Sequence, residues 1–567
     1  MIPFSQLHIC QCLARLELLR PDSSLTICGK RQRTGRQFVD EILTLACGLA
    51  KLGVQHGDIV AISALNSDWY LEWLLAVTYV GGIVAPLNYR WSLEEYKYAL
   101  AVICPVMLVV DETFDGMFTD IQLAAAIPSI RWNVFIGSRP AHMECKTDVI
   151  KSELLEKQTS FNYAWAPEGA AIICFTSGTS GRPKGVVISH EALIVQSLAK
   201  VDIVRYSEDD IYLHTASLCH IGGISSALAM LMIGARHILI PKFDAVKALK
   251  CIEDYQVTSF ITVPAMLSDL ISMIRVKKTV DRRTSVKKIL NGGGGLQEEL
   301  IKDASKYFPM AKIQSAYGMT EGCSSLTFRT LYDLADATSN QLHENMNFVN
   351  TIMGSQLGGI CVGMPAPHVE LKIHTDDYSS HIGKILTRGP HLMIRYWDKN
   401  NTPTRITNYQ SSRFWHDTGD IGYLDGYGNL WLIGRNSGRI KSGGENVYPE
   451  EVEAVLLQHL GISSAVVIGV PDGRLGEMVV ACVQLREKWL WDDKNVTDPS
   501  YKAQELMLSQ NKLRRYCKDK KLTGFKIPKH FVCWNKPFPV TATGKVIRDK
   551  VRRAIVSSYQ VFTQSSL

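Results

Sequence analysis

The sequence predicts an α/β chain, with a large N-terminal α/β domain of several subdomains followed by a small α+β domain. Three observations carry that expectation. The chain has 567 residues, more than one hydrophobic core organises, so more than one domain is the default. Up to about residue 330 strand-like and helix-like segments alternate, the pattern of largely parallel sheets covered by helices. After Arg435 the alternation gives way to one proline-started helix and two strand-like runs, which sets the domains at 1–435 and 436–567.

The elements follow in order. Residues 172–176 read as a buried strand entering a glycine-rich loop, 186–189 as another strand, and 191–200 as the helix after it. Residues 259–264 are strand-like and 265–274 helical. Residues 420–425 and 430–434 flank the turn Gly426-Tyr427-Gly428-Asn429, a hairpin pattern. Pro449 occupies the first turn of a helix whose apolar stripe is Val452, Val455, Leu456 and Leu460. Runs 465–470 and 479–484 are strands of the small domain. The polar segments 329–356 and 487–511 read as surface insertions.

Composition narrows the function. A 46% hydrophobic and 21% charged chain is an ordinary soluble globular one. The net charge of +7 is spread along the chain and suits polyanionic ligands; basic stretches 518–521 and 548–553 lack any nucleic-acid motif and read as solvated faces, so no nucleic acid is expected. The apolar stretches 73–88 and 221–235 are short for a membrane span and are broken by Gly, Pro or Asn, so they read as core. Fourteen scattered cysteines without a secretory signal point to reduced thiols, and the isolated Cys10/Cys12 pair is a poor zinc site. The N-terminus reads as lacking an obvious transit peptide, because helix-like and strand-like patterning starts almost at once.

The decisive segment is Thr176-Ser177-Gly178-Thr179-Ser180-Gly181-Arg182-Pro183-Lys184-Gly185. Small residues let backbone N–H groups approach phosphate oxygens, hydroxyls add donors, and Lys184 supplies charge. It is not a Walker A loop, since Pro183 precedes the lysine and no Ser or Thr follows it. Downstream come Asn291-Gly292-Gly293-Gly294-Gly295, which leaves room for a flat ligand after a strand, and Ser315-Ala316-Tyr317-Gly318-Met319-Thr320-Glu321. Trp415-His416-Asp417-Thr418-Gly419-Asp420, Gly434-Arg435 and Pro539-Val540-Thr541-Ala542-Thr543-Gly544-Lys545 complete the series.

In these ordered signatures the chain resembles the acyl-adenylate-forming superfamily of acyl-CoA synthetases, luciferases and peptide-synthetase adenylation domains. The resemblance implies the acyl-CoA synthetase/luciferase-like fold and ATP, Mg²⁺ and coenzyme A as ligands. It implies that Thr176, Ser177, Gly178, Thr179, Ser180, Gly181 and Lys184 hold the ATP phosphates, with Gly293, Gly294, Tyr317, Gly318, Met319 and Thr320 around the nucleotide. Tyr317 would stack on adenine, Thr320 meet the α-phosphate, Glu321 hold Mg²⁺, Asp420 accept the ribose hydroxyls and Arg435 flank the ribose. Lys545 and Lys184 would be the catalytic cations. The small domain would be mobile, turning at Ser437 and Gly438, where the family's usual charged residues are missing, and Gly443 and Gly444 would meet coenzyme A.

Ser217-Leu218-Cys219-His220-Ile221-Gly222-Gly223 matches the segment lining the acyl pocket, with His220 at its gate and Gly293 also beside the acid. Within the superfamily the chain looks most like the plant 2-succinylbenzoate–CoA ligases of phylloquinone synthesis. The supporting segments include Glu72-Trp73-Leu74-Leu75-Ala76-Val77 and Lys441-Ser442-Gly443-Gly444-Glu445-Asn446-Val447-Tyr448-Pro449, and the resemblance implies an aromatic dicarboxylic acid as substrate. Bacterial members tend to carry a cation nine positions after the gate histidine; here Ala229 stands there. Fatty-acyl and 4-coumarate-type CoA ligases share all the chemistry but the pocket, and a nucleotide-binding protein without ligase activity would be expected to lack Lys184, Glu321, Asp420 or Lys545. The terminal Ser565-Ser566-Leu567 resembles a peroxisomal tripeptide with its basic residue replaced, whereas the phylloquinone resemblance implies chloroplasts.

Overall fold

The computed structural model describes residues 7–111, 127–137, 148–150, 162–176, 183–277, 285–296, 298–334, 359–375, 381–397, 414–435, 438–442, 445–472, 475–492, 506–520, 522, 524–541 and 545–564. Two large sheets, each with helices packed against it, form the bulk of the molecule. The first has eight strands. Its parallel part comprises Ile59–Ser63, Ile83–Pro86, Met107–Asp111, Trp132–Ile136 and Asp148–Ile150, joined by β1 (Ala170–Thr176). An antiparallel turn then brings in β2 (Lys184–Ser189), and the short strand Arg395–Tyr396 closes the edge. The near-continuous apolar character of β1, buried through Phe175, is what a strand covered on both faces requires.

Two helices follow. Ser189 caps α1 (His190–Val204) by accepting the Ala192 amide at 3.0 Å, and α2 (Ile221–Ile233) is apolar on nearly every face and buried. The stretches 73–88 and 221–235 are core, as the sequence implied: Trp73, Leu74, Leu75 and Leu231 are all fully enclosed. No helix among the described residues is long and apolar enough to cross a membrane.

The second sheet has thirteen strands. It is parallel through Ser259–Thr262, β3 (Lys288–Asn291) and β4 (Lys312–Met319), then turns antiparallel at β5 (Ser324–Tyr332) and β6 (Ile360–Pro365). The expected hairpin is β7 (His416–Leu424) with β8 (Leu430–Arg435), and the spatial order runs β7-β8-β6-β5-β4-β3. Register shifts interrupt this run at Cys361/Gly363, at Ile421/Gly422 and, between β4 and β5, at Ile313/Gln314 and Tyr317/Gly318, and such bulges bend a sheet. Gly363 has φ +87°, and a β-carbon there would overlap the Phe328 carbonyl, so the bend needs glycine.

Strand β8 is the last to pair into the thirteen-stranded sheet; Ile440–Ser442 opens a separate sheet of five. Helix α3 (Pro449–Leu456) packs here with Pro449, Val452 and Leu456 buried. The expected stripe is corrected at its end, because the helix stops at Leu456 and Leu460 beyond it is 72% exposed. Runs 465–470 and 479–484 are the centres of Ile462–Asp472 and Gly476–Leu485, one long antiparallel pair. Neither polar segment is wholly an insertion. Residues 329–332 finish β5, while Leu490–Trp491 pairs with Met507–Leu508 and a helix starts at Gln510.

Candidate active site

The site builds from strand ends. Across the β1–β2 pair Thr176 directly opposes Lys184, so the flanks of the phosphate-loop motif are adjacent. Ser177, Gly178, Thr179, Ser180 and Gly181 themselves lie outside the described residues. Lys184 Nζ stands 5.4 Å from the ring centroid of Tyr396, whose hydroxyl donates to Glu321 Oε1 at 2.8 Å. The Met393 amide donates to the Glu321 carbonyl at 2.8 Å, so the neighbouring chain holds both the backbone and the side chain of Glu321. The other carboxylate oxygen of Glu321 has no hydrogen-bond partner among the described residues. A fixed carboxylate with one oxygen to spare fits a hard cation such as Mg²⁺.

Glu321 and Thr320 sit on the tip joining β4 to β5. The tip is tight: the Gly322 amide bonds Met319 O and the Cys323 amide bonds Thr320 O. Cys323 and Ser324 both have positive φ, +52° and +110°. Gly318 is required there, since a β-carbon would overlap the Ser324 carbonyl. Tyr317 lies one residue earlier, and its hydroxyl donates to Asp420 Oδ2 at 2.6 Å.

Asp420 faces Arg435 across the β7–β8 pair, with Arg435 Nε 3.2 Å from Asp420 Oδ1. The residue is 8% exposed, and burial raises its pKa above the ordinary aspartate value, while Arg435, the Tyr317 hydroxyl and Lys545 pull it back. Oδ2 thus already has one protein hydrogen-bond donor, whereas Oδ1 has an ion-pair partner.

Lys545 comes from the small domain. Its amide donates to Thr541 Oγ1 at 3.1 Å and its carbonyl accepts the Thr541 amide at 2.7 Å, which pins the residue; Ala542 to Gly544 lie outside the described residues. The ammonium keeps solvent access, yet partial withdrawal from water and then the Arg435 charge hold its pKa below the ordinary lysine value, with Asp420 and Glu321 opposing. Its field also reaches His220. The structure therefore brings Lys545, Arg435, Asp420, Glu321 and His220 to one cleft.

His220 is the N-cap residue of α2. Its pKa is raised, first by the adjacent Cys219; burial, Arg90 and Lys545 act against the shift. Gly293 has φ +72° and, with Gly294 and Gly295, is exposed beyond β3. Asn291 Nδ2 holds the Gly294 carbonyl at 2.6 Å. Ala229 is fully buried on α2. Gly438 has open space around it, Ser437, Gly443 and Gly444 lie outside the described residues, and Gly434 is pressed by Glu450 Oε2 and Tyr448 of the small domain.

Two participants escaped the sequence reading: Tyr396, which fixes Glu321, and Arg90, whose charge reaches Cys219 and His220. No local spacing marks them, because each meets the site only through pairing of distant segments.

Comparison with known proteins agrees with this geometry. Residues 19–397 match the AMP-binding enzyme family, and 451–545 match the AMP-binding enzyme C-terminal domain. A 2-succinylbenzoate–CoA ligase of Arabidopsis thaliana, described as chloroplastic/peroxisomal, is 54% identical over 99% of both chains. An indoleacetate–CoA ligase of Aromatoleum aromaticum is 31% identical over 95% of this chain and 96% of its own. Among solved structures, the o-succinylbenzoate CoA synthetase of Bacillus subtilis in complex with its acyl-adenylate intermediate superposes with a TM-score of 0.73 at 25% identity, covering 95% of this chain and 97% of the other. With both of its parts matched, and Lys545, Arg435, Asp420, Glu321 and His220 brought to one cleft, the chain belongs to the AMP-binding enzyme family.

Proposed function

We propose that this chain is a 2-succinylbenzoate–CoA ligase, which converts ATP, 2-succinylbenzoate and coenzyme A to AMP, diphosphate and 2-succinylbenzoyl-CoA through an acyl-adenylate. Phylloquinone synthesis is the pathway that activity serves. The carrying observation is the position of Lys545, whose ammonium feels Asp420 and Glu321 on the nucleotide side and acts on His220 on the acyl side. Attack of a carboxylate on the α-phosphorus brings anions together, so the chemistry needs placed positive charge more than a nucleophile.

In this reading Lys545 bridges the acid and the α-phosphate, and Lys184 flanks the departing diphosphate. Asp420, held by Tyr317 and Arg435, receives the ribose hydroxyls, and Thr320 meets the α-phosphate. Glu321 would hold Mg²⁺, which when bound offsets phosphate charge. Coenzyme A then attacks the mixed anhydride at the acyl carbon and AMP leaves. Residues 1–435 form the adenylating body and 436–567 the mobile unit; the open surroundings of Gly438 suit a pivot there.

The test is a panel of acids assayed for AMP and acyl-CoA, comparing 2-succinylbenzoate with palmitate and coumarate. The dicarboxylate should give the highest kcat/KM; a higher value for either monocarboxylate would refute the substrate assignment.

We place the protein in chloroplasts and peroxisomes, the compartments in the name of the 54% identical relative. Ser565-Ser566-Leu567 lie outside the described residues. A fluorescent protein fused ahead of the chain should mark peroxisomes, and deleting 565–567 should abolish that signal. A fusion leaving the N-terminus free should mark chloroplasts. Diffuse signal from all three fusions would refute the assignment.

A further inference from the structure

Lys200 is fully buried in α1, and its ammonium has no carboxylate within ion-pair distance among the described residues. Its three donors go instead to hydroxyls: Ser225 at 2.6 Å, Ser226 at 3.2 Å and Ser324 at 3.1 Å. The first two are on α2, whose N-cap is His220, and the third starts β5 immediately after the Thr320–Glu321 tip. Burying a cation without a counter-charge is destabilising, and a fold that needed only packing there would be better served by an apolar side chain. Such a group is explained most simply by an anion that arrives with the ligand.

The geometry says how the anion would meet it. Ser225 lies five residues after His220, about 7.5 Å along the helix, so the ammonium sits below the acyl gate and behind the adenylate strand. Ser225 spends its own hydrogen on the Ile221 carbonyl at 2.7 Å. Ser324 accepts from Lys200 and is only half-buried, so its hydroxyl hydrogen is left to donate outward. Its unusual φ of +110° belongs to the tight β4–β5 tip.

We propose that Lys200, acting through the Ser324 hydroxyl, supplies the positive charge that recognises the second carboxylate of the acid substrate and sets the preference for a dicarboxylate. The inference rests on the ligase reading above and adds the residue that selects the acid. Lys200 is a positioning residue in this scheme, since Ser324 makes the contact.

Ionisation supports the assignment. Burial lowers the Lys200 pKa to about 7, so the free enzyme loses this charge just above neutrality. The titratable groups facing it stay protonated throughout that range. Cys323 is pushed up to about 12 by burial, and burial also raises Tyr212 beyond Ser226. A distal carboxylate would favour the charged lysine, so binding the dicarboxylate above pH 7 takes up a proton.

The experiment compares 2-succinylbenzoate with its methyl ester at the distal carboxylate, in the wild-type chain and in Lys200→Met and Ser324→Ala. Wild type should prefer the acid, and both variants should lose about 30-fold or more in kcat/KM for the acid while the ester changes less than about threefold. In wild type the KM for the acid should rise toward tenfold per unit above pH 7, whereas the ester profile stays flat. A structural role for Lys200 would depress acid and ester together and leave both pH profiles alike, which would overturn the proposal. If Lys200→Met does not fold, Ser324→Ala and the wild-type pH comparison decide it alone. No turnover of 2-succinylbenzoate by wild type would overturn the substrate reading itself, whereas turnover with an acid preference that survives both variants would overturn only this inference.

Discussion

Replacing Asp420 with alanine tests the nucleotide half of the cleft. In the proposed complex the side chain accepts two ribose hydroxyls, each a hydrogen bond to a charged group worth about 1.5–3 kcal/mol. Water entering the vacated space recovers part of that, so a loss of about 3 kcal/mol, roughly 10² in ATP affinity, is expected. The fold should suffer less. The Tyr317 hydroxyl loses its acceptor, at about 1–3 kcal/mol, and Arg435, half in solvent, loses a partner worth under about 1 kcal/mol. Against this, removal relieves the burial of a carboxylate whose pKa is raised by desolvation. Isothermal titration with ATP is the assay, and Asp417→Ala, an exposed carboxylate on the same strand, is the control. The ionised carboxylate is the form that accepts both hydroxyls, so wild-type affinity should fall with pH at values above the ordinary aspartate range, and the variant should lack that limb. ATP affinity within threefold of wild type in a folded Asp420→Ala protein would refute the ribose assignment.

Two further outcomes follow from the cleft. Lys545→Ala should lower adenylate formation by about 10²–10³ while leaving thioesterification of supplied acyl-adenylate nearly intact, measured by diphosphate release and acyl-CoA production. Equal loss in both half-reactions would contradict its proposed role. Tyr396→Phe removes the hydroxyl holding Glu321 and should raise the Mg²⁺ concentration for half-maximal adenylation several-fold, with little change at saturating Mg²⁺. Superimposable Mg²⁺ titrations of variant and wild type would count against Glu321 as the metal ligand.

What could be read from the chain was what is written contiguously. Tyr317, Glu321, Asp420 and Arg435 lie in short strings whose order survives any fold, and the strand ends bearing them meet in one cleft. Lys200 shows where reading along the chain fails. Beside Leu198 it looks like an ordinary solvated helical lysine, yet Leu198 is 52% exposed and Lys200 is sealed. The expected helix ended at residue 200, whereas α1 continues to Val204 and makes the lysine an interior position. Only α2, packed alongside, decides which of the two residues faces inward. Tyr396 is invisible for a related reason, since it reaches Glu321 from a two-residue strand paired to the edge of β2. The α3 stripe failed at Leu460 because periodicity cannot see where a helix stops.

The hydrogen bond from Tyr317 to Asp420 has a mechanical side. Along the sheet, β4 and β7 are four strand spacings apart, about 19 Å in a flat ribbon, yet their side chains meet at 2.6 Å. The bond is therefore a chord drawn across an arc, and its length reports the curvature of β5, β6 and β8. Anything that flattens the arc, such as filling the space that Gly363 leaves against Phe328, should pull Tyr317 from Asp420 without touching either. A nucleotide bound between them would in turn brace the curve. In this enzyme the bulge at Gly363, on a strand that bears neither residue, thus acts as a setting on the distance between Tyr317 and Asp420.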